Sequence, residues 1–385
     1  MSRLRVSLDT SAVPVQPAGA GRYILELVRA LAHRDDVQIE LIARKGDLER
    51  WRQIDGGAGV HGLVPNARPA RLVYEQVLLS RQLTSLGVQV HHGPHYTIPR
   101  RCPIPSVVTI HDMTFFDRPD VHQATKVRFF RSAIRHAASS ATVIVCVSDR
   151  TAERFAAHFS TTAPILVAPH GIDHDRFTTI APPGADAATL RRLGLGGTAR
   201  RIVHVGTLEP RKGIITLLEA FERVLEVDPG CELIFAGQRG WGLESFDQAL
   251  MRSSAKAHVR LLGYVDDDDV PALLRSASVL AYPSVDEGFG LPALEGLACG
   301  APVVTTSGSV MEDLCGPAAW LAPPGDPAAL AGVLVEILGS PAEDALARRD
   351  LGTKRAGEFT WTKTASLHVE AYALANSLRR PQRGK

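Results

Sequence analysis

The feature that most restricts this chain is an alternation that runs twice. Short β-branched runs alternate with longer segments of helical period, and after one interruption the same alternation restarts. In the first half the strand-like runs are residues 5–9, 37–43, 106–110, 142–147 and 165–168. Residues 22–33 place Tyr23, Leu27, Ala30 and Leu31 on one helical face. In the second half the runs are 201–205, 232–236, 259–262, 279–282 and 302–305, with a helical period over 215–226. Strands joined through helices lie parallel, because a parallel partner is reached only by a long crossover. The pattern predicts two α/β domains, each a doubly wound parallel sheet, with a cleft between them as the default ligand site. Residues 178–200 break the rhythm with Ala-Pro-Pro-Gly and Gly-Leu-Gly-Gly sequences. The expected boundaries are therefore 1–180 for the first domain, 181–200 for a connection and 201–360 for the second domain.

Composition removes several alternatives. With 385 residues, 45% hydrophobic and 22% charged, the chain can bury two separate cores. A net charge of +2 gives no field for nucleic acid. The five scattered cysteines form no C-x-x-C, and their odd number argues against a disulfide framework, so a reduced compartment is expected. The first residues run straight into strand-like sequence without the apolar core of a signal peptide. No apolar run reaches the roughly 18 residues of a membrane span. A cytoplasmic protein is the expectation.

Two segments carry chemistry. In Glu287-Gly-Phe-Gly-Leu-Pro-Ala-Leu-Glu295, Leu291-Pro292 reads as a helix start and Gly300 as its stop. The turn Gly288-Phe289-Gly290 precedes that start, where amide groups and the helix dipole suit a diphosphate. Glu287 lies before the turn, and Glu295 is expected in the first helical turn. Carboxylates there suit sugar or ribose hydroxyls, although acids at a helix start also simply complement the dipole. The second segment, Gly206-Thr-Leu-Glu-Pro-Arg-Lys-Gly213, follows the first strand of the second half, where such sheets bind ligands. Arg211 and Lys212 there can neutralise a diphosphate leaving group.

The two segments together resemble family 4 of the retaining nucleotide-sugar glycosyltransferases. Further segments agree: Ala18-Gly-Ala-Gly-Arg-Tyr23, Thr109-Ile-His-Asp112, Val147-Ser148, Pro169-His-Gly-Ile-Asp173 and Phe359-Thr-Trp361. The resemblance covers nearly the whole chain. It implies the GT-B fold, two Rossmann-like domains facing across a cleft, with a closing helix over 361–378 packed back on the first domain. It also implies acceptor binding by the first domain and donor binding by the second.

Site roles follow from the resemblance position by position. Glu287 is expected on the donor-sugar hydroxyls, and the amides of Gly288, Phe289, Gly290 and Leu291 on the sugar and phosphates. Glu295 is expected on the ribose and Lys212 on the diphosphate. Gly206, Thr207 and Gly237 complete the donor loops, and Tyr264 with Val265 lies near the base. Thr207 stands where many relatives carry arginine, with Arg211 as the available substitute. Gly19 and Gly21 supply the first glycine loop, in which Ala18 aligns with a family glycine. His111 matches the histidine beside the transferred sugar, so His111, Arg211, Lys212 and Glu287 form the expected catalytic set.

The resemblance implies a hexosyltransferase with same-face attack that needs no metal or other cofactor. Its partners are a nucleotide-sugar, with GDP-mannose leading, and a glycan or glycolipid acceptor. The form of the second segment looks most like bacterial mannosyl- or rhamnosyl-type transferases of cell-envelope glycans. A nucleotide-sugar 2-epimerase of the same architecture and a non-catalytic nucleotide-sugar-binding protein are the alternatives. His91-His-Gly-Pro-His95 is read as an acceptor loop rather than a metal site, since no cysteine or carboxylate cluster accompanies it. Asp266-Asp-Asp-Asp269 is read as capping a helix start. Residues 126–135 mix basic and apolar residues at helical spacing. They fit a helix packed on its own domain or one touching a membrane surface.

Overall fold

The computed structural model describes residues 3–17, 19–55 and 59–378. The chain divides into two compact units, one of Met1–Gly171 with Trp361–Lys385, the other of Ile172–Thr360. The first holds a seven-stranded sheet in the order β3-β2-β1-β4-β5-β6-β7. Its strands are β1 (Leu4–Asp9), β2 (Val37–Arg44), β3 (Gly59–Val64), β4 (Val90–Gly93), β5 (Ser106–Ile110), β6 (Val143–Cys146) and β7 (Ile165–Val167). The second holds six strands in the order β10-β9-β8-β11-β12-β13. These are β8 (Arg201–Val205), β9 (Glu232–Ala236), β10 (Val259–Gly263), β11 (Val279–Tyr282), β12 (Val303–Thr306) and β13 (Trp320–Ala322). Every strand pair is parallel. Strand order reverses between β1 and β4 in one sheet and between β8 and β11 in the other. Loops part at such a point, so ligand sites form there.

The local reasons are those of the sequence. Strands β5, β6, β11 and β12 are buried along their whole length, as strands covered by helices on both faces must be. The helix Ala20–Ala32 buries Tyr23, Ile24, Leu27, Val28 and Leu31 on one stripe. The helix Ile214–Val227 does the same with Leu217, Leu218, Phe221 and Val224. The last helix, Trp361–Ser377, packs small residues, Ala365, Ala371 and Ala375, together with Tyr372 into the core of the first unit.

Two expectations change here, and of two alternatives for a third segment one is seen. Residues 181–200 are not a free connection. Their helix Ala185–Arg192 belongs to the second unit, where Arg275 forks onto Asp186 at 2.7 and 2.8 Å and Arg192 pairs with Asp269. The acidic run does not cap by side chain: Asp269 turns to Arg192, and the helix Val270–Arg275 begins without a side-chain cap. The helix Ala124–Ser140 puts its apolar side into its own unit, with Ile134 and Ala137 buried and Val127 and Phe130 packed beside them. Its Arg131 donates to the Phe115 carbonyl at 2.7 Å, and Arg131 and Arg135 lie over the Phe116 ring.

Candidate functional site

At the switch point of the second sheet, the loop after β8 meets the loop after β11. Gly213 makes this approach feasible: its φ is +68°, and a Cβ there would sit 2.1 Å from the Pro283 carbonyl oxygen. Lys212 thereby reaches across to Tyr282 and Glu287. Its Nζ donates to the Tyr282 oxygen at 2.7 Å and to Glu287, and the Tyr282 hydroxyl donates to Glu287 Oε1 at 3.1 Å. Arg211 donates to Glu287 Oε2 at 2.7 Å and to the Asp286 carbonyl at 3.2 Å, while its Nε pairs with Glu209 at 2.8 Å. Trp241 Nε1 donates to the other Glu209 oxygen at 3.1 Å.

Two cations and two carboxylates thus balance within a buried cluster. Burial disfavours charge on Glu287, but Arg211 and Lys212 outweigh it and hold the carboxyl down at about 2. Burial and the Arg211 charge draw Lys212 below its ordinary value, against the pull of Glu287. Burial and the Glu287 charge push the Tyr282 hydroxyl well up, so it remains a proton donor. His204 stacks on Tyr282 with ring centroids 5.8 Å apart, and its Nδ1 donates to the Ala281 carbonyl at 3.0 Å. Burial pushes His204 down to about 4, which keeps this support uncharged.

The other residues expected on donor loops lie along the same end of the sheet or just beyond it. The Gly206 amide donates to the Ala236 carbonyl at 2.9 Å, and the Gly237 amide to the Gly263 carbonyl at 2.7 Å. A Cβ on Gly237 would sit 1.9 Å from the Gly206 oxygen, so this glycine lets two loops stack. Thr207 follows in the same loop, its methyl 3.1 Å from where a Gly240 Cβ would stand. Tyr264 is exposed and Val265 buried just past β10. The helix Leu291–Ala298 starts with Pro292 in its first turn, Gly290 before it at φ +111° and Gly300 after it at φ +75°. Glu295 is its fifth residue, one turn later than expected, and is 3% exposed. No acid stands in the first turn, so Glu295 is not placed to complement the dipole there. Phe289 is buried, its ring edge-on to Phe359.

His111 leaves the end of β5 in the first unit, not in this cluster. Its Nε2 donates to the Pro94 carbonyl at 2.8 Å, so a neutral ring keeps Nδ1 as an acceptor. Burial lowers its pKa, against the Pro94 bond. Beside it runs a buried chain whose directions all follow from one end. His368 Nδ1 faces the Thr364 carbonyl at 2.8 Å and must donate, so Nε2 accepts from the Tyr23 hydroxyl at 2.7 Å. The Tyr23 oxygen then accepts from Thr109 at 3.0 Å, Thr109 from His92 Nε2 at 2.8 Å, and His92 Nδ1 from Tyr372 at 2.8 Å. The Tyr23 ring stands edge-on to His111 at 5.0 Å and lies 4.7 Å from His170. This chain ties the last helix to β4, β5 and the first helix.

The expected acceptor loop at 91–95 is corrected: His91 and His92 are core residues of β4, and only His95 lies beyond it. Gly19, at φ +49°, precedes the helix Ala20–Ala32, and Gly21 is buried within it. Ala18 lies outside the described residues. Tyr282, Glu209, His368 and Tyr372 were not singled out from sequence, and Tyr23 was read there without a polar role. Tyr282 carries a signal, an aromatic hydroxyl on the last residue of a strand bordering the switch point. The others act across distances that spacing does not reveal. Among the described residues no group of three or more His, Cys, Asp or Glu is placed to hold a metal.

Comparison with known proteins identifies the family and the fold. Residues 199–340 match the family described as glycosyl transferases group 1, and residues 17–176 match Glycosyltransferase Family 4. The O-antigen chain mannosyltransferase B of Escherichia coli is 30% identical over 96% of this chain and 100% of its own length. A GDP-mannose-dependent monoacylated alpha-(1-6)-phosphatidylinositol monomannoside mannosyltransferase of Corynebacterium glutamicum is 31% identical over 55% of this chain and 56% of its own. Anabaena Alr3699/HepE, solved in complex with UDP-glucose, superposes with a TM-score of 0.75 at 18% identity. That match covers 96% of this chain and all of the other, and it shows the same GT-B fold. The chain therefore belongs to the family 4 glycosyltransferases.

Proposed function

We propose that this glycosyltransferase moves mannose from GDP-mannose to a hydroxyl of a glycan or glycolipid acceptor, with retention and without a metal. The observation that carries the reading is the neutral switch-point cluster of Lys212, Arg211, Glu287 and Glu209. A diphosphate and the Glu287 carboxylate are alternative partners for the same two cations. When the diphosphate takes Lys212 and Arg211, Glu287 is released to accept hydrogen bonds from sugar hydroxyls. The amides ahead of the helix Leu291–Ala298 and the two cations then stabilise charge building on the leaving diphosphate. The acceptor oxygen bonds to the sugar anomeric carbon as the carbon–phosphate oxygen bond breaks on the same face. The acceptor proton passes to the departing phosphate oxygen, giving a glycoside and a nucleoside diphosphate. Glu295 takes the ribose hydroxyls, and His111 Nδ1 accepts from a sugar hydroxyl. The relatives named above support mannose and an envelope glycan or phosphatidylinositol-type acceptor. A lipid-linked acceptor would place the enzyme at the cytoplasmic membrane face.

Calorimetric titration with GDP, UDP, ADP and dTDP, without added metal, tests this. GDP should bind selectively, and Lys212→Ala should weaken it by about tenfold or more, since hydrogen bonds to charged groups contribute about 1.5–3 kcal/mol. Preference for another nucleotide would replace the donor. Indifference to Lys212→Ala would remove the cluster from the reaction.

A further inference from the structure

The helices Arg68–Val77 and Leu79–Ser85 in the first unit have a used inner face and an unused outer one. Inward, Tyr74, Leu79 and Leu83 are buried in one hydrophobic cluster. Outward, Val73, Val77 and Leu78 are 60%, 61% and 44% exposed. Among the described residues the other exposed large apolar residues stand singly or two together, which is ordinary; here three fall within six positions. The rim is basic. Arg81, Arg100 and Arg101 are exposed, and the loop bearing the last two is tied to these helices. The Arg100 amide donates to Gln76 at 3.0 Å, and Ser80 donates to the Arg101 carbonyl at 2.6 Å. Between residues 61 and 110 the sequence holds five arginines and one acid, Glu75, which is 7% exposed. Residues 121–148 add Lys126, Arg128, Arg131 and Arg135 with no acid. His136 of that segment reaches the Pro99 carbonyl at 3.3 Å, which makes the two basic regions neighbours.

We propose that this face docks on an anionic lipid bilayer, with Val73, Val77 and Leu78 entering the headgroup region and the arginines pairing with lipid phosphates. Exposed valines and leucine inside a basic, acid-poor rim are the pattern of an interfacial surface. The same helices hold the edge of the sheet where acceptor-side loops leave it. Arg71 donates to the Ser11 carbonyl at 2.8 Å beyond β1, and Gln76 to the Ile98 carbonyl at 3.4 Å beyond β4. A bilayer at this face would deliver a lipid-linked hydroxyl to that edge, which rests on the acceptor reading above; the docking itself does not. The surface differs from residues 126–135, whose apolar side is spent on the unit's own core.

Flotation of the full chain with vesicles tests this without donor or acceptor. The chain should float with phosphatidylcholine–phosphatidylglycerol vesicles and not with phosphatidylcholine alone. Each arginine near the surface should strengthen binding roughly fivefold, from about 1 kcal/mol per cation. The variant Arg81→Glu/Arg100→Glu/Arg101→Glu, and Val73→Asp/Val77→Asp, should each lose about tenfold or more. GDP titration on the valine variant separates the two readings, because retained GDP binding with lost flotation is the expected result. Flotation indifferent to phosphatidylglycerol, or unchanged in the valine variant, overturns the proposal. So does sedimentation showing that the valines hold two copies of the chain together while flotation is unaffected.

Discussion

At Glu287 one carboxylate accepts from three donors, Lys212, Arg211 and Tyr282. Removing it leaves Lys212 buried without a paired carboxylate and Arg211 with Glu209 alone, a costly arrangement that a diphosphate relieves. Glu287→Ala should therefore keep or raise nucleoside-diphosphate affinity while transfer falls by about a hundredfold, as when one oriented charge-stabilising group is lost. Titration and initial rates on the same preparation check this, and parallel losses of both would mean Glu287 acts only in folding. Glu295 should behave oppositely. Glu295→Ala should weaken nucleotide binding by about tenfold, through loss of hydrogen bonds to a charged group. Equal affinity in wild type and variant would remove the ribose role.

At the scale of elements, the buried Tyr–His–Thr chain holds the last helix on the first unit. His368, Tyr23, Thr109 and His92 each donate and accept in a fixed order, so deleting Tyr23 or Thr109 leaves two groups unmatched. Tyr23→Phe leaves His368 Nε2 without a donor and Thr109 without its acceptor. It should lower the stability of the first unit by about 1–3 kcal/mol, the usual cost of a buried unsatisfied group. Denaturant titration measures it, and a change below a few tenths would show that water replaces the hydroxyl. Because the Tyr23 ring also abuts His111, the variant should lower the transfer rate more than nucleotide affinity.

At the scale of the molecule, buried imidazoles are unevenly divided. Among the described residues, His91, His92, His95, His111, His170 and His368 in the first unit have pKa values lowered by burial; in the second only His204 does. A base depressed on folding is neutral in the folded chain and protonates first in the unfolded one. Its stability contribution is full above the unfolded value of 6.5 and is lost as pH falls toward the folded value, about 4 for His91 and His368. At pH 5 an imidazole whose folded value is about 4, as for His91 and His368, costs roughly 2 kcal/mol. Glu287 does not blur this window. Its depressed carboxyl contributes fully above 4.5, and that contribution is lost only as pH falls toward about 2. Burial raises Glu75 of the first unit to about 7, so it gains stability as pH falls through this window and offsets roughly one imidazole. Calorimetry between pH 7 and pH 5 should still show the transition of the first unit moving down further than that of the second. Equal shifts would contradict the assignment.

The alternation of strand and helix, the two parallel sheets and the two glycine-bearing loops were legible in the sequence, because each depends on neighbours along the chain. The sequence did not reveal β3, β4 or β13, which are short or carry Gly and His where β-branched residues usually stand. Nor did it show that residues 185–192 are docked by Arg275, an ion pair spanning 89 positions. Only the tertiary structure brings Lys212 to Glu287 across 75 positions and His368 to Tyr23 across 345. Strand order decides the first contact and helix docking the second. Burial, which keeps His204 and the imidazoles of the first unit uncharged, and the cation pair that keeps Glu287 charged against it are likewise properties of the packed chain and not of any segment within it.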